Sequence, residues 1–141
     1  MSKIYKQTND YNCGPTALAQ LLNLKGYQEY TPEGIEEIIQ PSPDMGTSHL
    51  SICLFLDLEK FTYQHGTPGL HNLTLPMLVN YSPKGDGHYG VVTRINFTSN
   101  RVRVLDPEDG QMHSYTIKNF FNTWYSSRYG KEWAVWDLRK E

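Results

Sequence analysis

A chain of 141 residues with two cysteines and five histidines carries one cysteine in a setting suited to nucleophilic chemistry. Cys13 lies within "QTNDYNCGPTALAQLL", residues 7–22, where polar residues give way to apolar ones at positions 17, 18, 21 and 22, the spacing of a helix face. Cys13 therefore opens a helix. Unpaired N–H groups at a helix start favour negative charge, and a thiol reacts only as its thiolate. An oxyanion formed by attack on a carbonyl needs two donors, and the backbone N–H of Cys13 with the side-chain amide of Gln7 would supply them. Gly14 has no side chain to keep a substrate backbone away.

A base must come from elsewhere in the chain. "GDGHYGVVTRI" puts His88 at the first residue of a strong strand, behind the loop Gly85, Asp86, Gly87, on a rigid support that a substrate can reach past Gly87. The next strand, "RVRVLD", ends at Asp106. With a three-residue hairpin loop at residues 97–99, Asp106 falls opposite Gly90 and diagonal to His88, and the missing side chain at Gly90 leaves the carboxylate room to reach the imidazole. Asp106 also starts the turn "DPEDG", a role compatible with facing the ring.

The elements that must position these groups are legible in the surrounding pattern. Asn12 is the expected cap of the first helix, Pro15 sits in its first turn and Gly26 stops it. A second helix begins at Thr31 and Pro32, and "TSHLSICLFLDLEKF" reads as a third. Short β-rich runs follow: "FTYQ", "LTLPMLVNY", "HYGVVTRINF", "RVRVLD", "MHSYTI" and "WAVWDL". "IKNFFNTWY", capped by Thr116, interrupts them as a fourth helix. Helices first and strands later predict an α+β fold, with N-terminal helices on a mainly antiparallel sheet. Length and the lack of a linker predict a single domain over residues 1–141.

Taken together, "Q-x5-C-G-P-x-A-L" from Gln7 to Leu18, "G-H-Y-x-V-V" around His88 and "V-L-D-P-x-x-G" from Val104 to Gly110 resemble the papain-like cysteine peptidases. They are most similar to the bacteriocin-processing, double-glycine-leader peptidases and their stand-alone relatives. The resemblance implies a papain-like fold, with Cys13 as nucleophile, His88 as base and then acid, Asp106 as orienter and Gln7 as oxyanion donor. It implies cleavage of a peptide or isopeptide bond through a thioester. The family usually has Asp before the nucleophile, where this chain has Asn12. Its best-known members are fused to membrane transporters.

Two other functions fit the same scaffold: a module that binds a peptide or protein without turnover, and an acyl transferase in which an amine or thiol replaces water. The remaining chemistry is sparse. Cys53 sits among apolar residues in "SICLFLDL" and is expected to pack in the core, and His49 four residues before it supplies too few ligands for zinc. Neither metal nor cofactor is expected. Thirteen basic against fifteen acidic residues draw the molecule toward neither nucleic acid nor anionic membrane. The first ten residues hold no apolar signal-like stretch and no segment approaches the roughly 18 apolar residues of a membrane span, so a cytoplasmic location, a peptide or protein substrate and free thiols are expected. Phe120, Phe121, Trp124, Trp133 and Trp136 are expected to close the core.

Overall fold

The computed structural model describes residues 5–9, 11–42, 46–69, 74–83, 87–125 and 132–141. Three helices come first: α1 (Cys13–Leu24), α2 (Pro32–Ile39) and α3 (His49–Leu58). The strands β1 (Phe61–Gly66), β2 (Met77–Tyr81), β3 (His88–Asn96), β4 (Arg101–Asp106) and β5 (Gln111–Thr116) follow, then α4 (Ile117–Tyr125) and β6 (Ala134–Lys140). The local signals act as their chemistry requires. Thr31 accepts a hydrogen bond from Gly34 N at 3.1 Å to start α2, Ser48 accepts one from Ser51 N at 3.0 Å to start α3, and Gly26 leaves α1 at φ +97°. β2 begins later than the apolar pattern does, because Pro76 has no N–H to give a ladder.

All strand pairs are antiparallel, in the order β1-β6-β2-β3-β4-β5. The last strand in sequence thus lies inside the sheet, one strand from its edge. One face of the sheet, bearing Leu78, Tyr89, Val91, Leu105, Val135 and Leu138, packs under α1, α2 and α3 against Leu18, Leu22, Ile52 and Phe55. Met77, Val79, Tyr81, Val92, Val104 and Trp136 point the other way and are covered by Phe120 and Trp124 of α4. Each buried Leu, Ile, Val or Phe contributes about 1.5–3 kcal/mol. β2 is buried on both faces along its whole length.

Two bulges set which residues share a face. Opposite Tyr63, β6 carries an extra residue, and Asp137 at φ +56° absorbs it, so Val135 and Leu138 both face the helices. The pairing of β3 with β4 slips at Thr93, from Val92↔Val104 to Arg94↔Arg103.

Candidate active site

α1 presents Cys13 as its first residue. Asn12 stands at the N-cap but makes no side-chain capping bond, contrary to the sequence expectation. Its Nδ2 donates instead to Thr8 Oγ1 at 3.0 Å and to Glu36 Oε2 at 3.5 Å, and its Oδ1 accepts from Asn9 N at 3.4 Å. The buried asparagine therefore braces the loop that carries Gln7. Pro15 has no N–H, and the N–H groups of Cys13 and Gly14 make no hydrogen bond among the described residues. Among the described residues nothing else satisfies the positive end of α1 beside the sulfur.

His88 opens β3 and meets Asp106 at the end of β4, with Nε2 2.7 Å from Oδ1. The ring is largely covered, its side chain 16% exposed. The Cys13 side chain also lies near enough to the ring to raise its pKa; with Nε2 taken by the carboxylate, Nδ1 is the nitrogen left for sulfur. Burial acts against the imidazolium, but the bond to Asp106 and then the Cys13 side chain outweigh it, and the His88 pKa is pushed up to about 9. Burial likewise acts against the Asp106 carboxylate, yet the His88 bond and charge, the Glu108 N–H and the Tyr81 hydroxyl hold its pKa below the usual value. Glu108 N donates to Oδ1 at 2.9 Å and Tyr81 Oη to Oδ2 at 3.2 Å.

The register Val91↔Leu105, carried one residue on, sets Asp106 beside Gly90 as the hairpin argument expected. The route differs: the loop is one residue longer, with Asn96↔Arg101 as the last pair, and the bulge at Thr93 cancels the excess. The space over Gly90 is also used differently. A Cβ there would lie 2.8 Å from Tyr81 Cε1 and 3.0 Å from Val104 Cγ1, so the missing side chain admits the tyrosine ring that holds Asp106. The space where a side chain of residue 14 would stand is likewise taken, because a Cβ would meet Thr47 Cβ at 2.5 Å.

Gln7 is fastened to the same corner, its backbone N donating to Pro107 O at 2.6 Å. Its side-chain nitrogen gives one hydrogen to Asn9 O at 2.8 Å, and the second meets no acceptor among the described residues. Gly87 is half-buried directly before β3. Gly85 and Asp86 lie outside the described residues.

Sequence reasoning missed the groups that brace these residues. Tyr81 ends β2 opposite His88 and is fully buried; a tyrosine closing an apolar run beside the histidine loop is the signal that would have found it. Thr47, seated on Gly14, accepts through its carbonyl from Tyr89 Oη at 2.9 Å. Tyr89 Oη also bonds His49 Nδ1 at 2.7 Å, and His49 stacks on Trp133 with centroids 3.8 Å apart. His49 is thus a structural ring. Cys53 is partly buried against the core, and burial pushes its thiol up. Ligand atoms of His88, Asp106 and Glu108 lie within 4.8 Å of one another; Nε2 of His88 and Oδ1 of Asp106 are bonded to each other.

Among solved structures the chain is similar to the peptidase domain of Streptococcus ComA, described as a bi-functional ABC transporter involved in a quorum-sensing pathway. The TM-score is 0.78 at 22% identity, with 100% of both chains covered. It is also similar to a double glycine motif protease from an AMS/PCAT transporter in complex with the leader peptide (TM-score 0.77, 13% identity, 100% of this chain and 93% of that one). A third likeness is to the N-terminal peptidase C39 like domain of a Vibrio parahaemolyticus toxin secretion ATP-binding protein (TM-score 0.63, 13% identity, 96% and 100% covered). No curated protein sequence matches significantly. The fold is that of the papain-like peptidases. The peptidase C39 family model matches residues 1–127, and the chain belongs to that family, a family of cysteine peptidases.

Proposed function

We propose that Cys13, His88 and Asp106 act as a catalytic triad that hydrolyses a peptide bond through a thioester. The observation that carries this reading is one imidazole set between two partners: Nε2 is 2.7 Å from the Asp106 carboxylate, and the Cys13 side chain is near enough to the ring to raise its pKa. His88 takes the thiol proton, and the sulfur adds to the carbonyl carbon. The resulting oxyanion is met by the Cys13 N–H and the free hydrogen of the Gln7 amide. As the C–N bond breaks, His88 returns the proton to the leaving amine. Water, deprotonated by His88, then attacks the thioester, releasing the acid and restoring the thiol. Asp106 keeps the ring turned toward sulfur and stabilises its charged form. The unit is a single peptidase domain over residues 1–141.

Peptides with a double-glycine motif before the scissile bond are the substrate class this reading favours, supported by family membership and by the leader-bound relative. A synthetic Gly-Gly leader peptide incubated with the protein and acid-quenched early is expected to leave an acyl adduct on Cys13 that hydroxylamine removes, with no adduct in His88→Ala. Cleavage products in Cys13→Ala, or turnover by wild type with no adduct on sulfur at any quench time, would overturn the covalent mechanism.

A further inference from the structure

Three of the five arginines in the chain, Arg94, Arg101 and Arg103, line one cavity of about 230 Å³ together with Asn96, Ser99 and Ser114. All three are exposed, and none of their guanidinium groups makes a hydrogen bond or ion pair among the described residues. Arg94 and Arg103 are direct cross-strand partners, an arrangement that places like charges side by side and costs stability. The bulge at Thr93 creates it: beyond the slip, Val102 and Ile95 face α4, and Arg94 turns to the opposite face with Arg103. Bulges re-aim side chains in this way. In a molecule of net charge −2, a local cluster of three cations with only neutral hydrogen-bonding groups between them is the shape of an anion receptor, since arginine forks match carboxylates in pairs.

We propose that Arg94, Arg101 and Arg103 form a binding site for the carboxylates of an acidic peptide segment, resting on the peptidase reading for the view that this segment belongs to the substrate. Position favours a peptide. The arginines lie on the sheet face that carries Tyr89, Val91 and Leu105 under the α-helices, the side on which the helix bearing Cys13 packs. Along β4, Arg103 and Arg101 are three and five residues from Asp106, roughly 10 and 17 Å at the rise of a strand. Asp106 points to the opposite face with Tyr81 and Val104, so a peptide held at Cys13 would meet the arginines along the helix-side surface of β4, away from the scissile bond itself.

The test measures anisotropy of a dye-labelled hexaglutamate peptide on the full chain, with hexaglutamine, inorganic phosphate and a single-stranded DNA hexamer as competitors. Hexaglutamate is expected to bind at 50 mM NaCl, to weaken at least tenfold in Arg94→Gln/Arg103→Gln and at 300 mM NaCl, and to resist hexaglutamine. Arg101→Gln alone is expected to weaken it several-fold. Equal binding to the double variant, no binding at all, or DNA bound more tightly through the same arginines would each overturn the site. Failure here leaves the catalytic reading standing, whereas an inert Cys13 in the acyl-adduct experiment removes that reading and leaves this binding measurable.

Discussion

Asp106 receives three donors at once, from His88, Glu108 N and Tyr81, and this makes the buried tyrosine the least expected member of the site. Tyr81→Phe leaves the second carboxylate oxygen without its partner, so a loss of about 1–3 kcal/mol is expected in urea unfolding; an unchanged midpoint contradicts the bond. His88 sets the pH window. Its folded pKa is raised to about 9 from an ordinary value near 6.5, so the stabilisation it brings is full below about 6.5 and is lost as pH rises through about 9. The melting-temperature gap between wild type and His88→Gln is expected to be widest near pH 6 and to narrow by pH 10. A gap flat across that range contradicts the coupling. At this scale the sequence was legible where residue type and local pattern speak: a cysteine at a helix start, a histidine at a strand start, an aspartate ending the next strand. Tyr81 and Thr47 were not, because each acts through a contact that only strand register or loop placement creates.

Helices declared themselves through caps and stops, as Thr31, Ser48 and Gly26 show, whereas the bulges at Thr93 and Asp137 left no pattern in side-chain type. A bulge is a difference of one residue between two strands, and neither strand records it alone. The seating of α1 on the loop before α3 was equally hidden, since Gly14 suits both a close substrate and a close Thr47. Gly14→Ala is expected to destabilise by about 1–3 kcal/mol through overpacking, with Thr47→Gly in the same chain recovering part of the loss because it removes the atom at 2.5 Å. Additive losses in the double variant would contradict that contact. Relief of the Arg94↔Arg103 pair works in the other direction: Arg103→Gln is expected to raise stability by about 0.2–1 kcal/mol, less at high salt, and a lowered midpoint at low salt would show that the like charges are not in conflict.

The whole molecule is a two-faced antiparallel sheet whose edge strand β1 is joined to the rest only by the last strand in sequence, with β6 lodged between β1 and β2. The α+β class followed from helices preceding strands, but strand order did not, because six apolar runs of similar length pair in many ways. α4 covers the face opposite the other helices, a placement its amphipathic pattern allowed without choosing a side. No helix among the described residues is long and apolar enough to cross a membrane. Only this fold brings residues 13, 88 and 106 together, so the convergence itself is open to direct measurement. Native protein treated with iodoacetamide at pH 6 and mapped by mass spectrometry is expected to be labelled at Cys13 well before Cys53, with the preference lost in His88→Ala and in urea. Equal, slow labelling of both cysteines in the native protein would contradict the account.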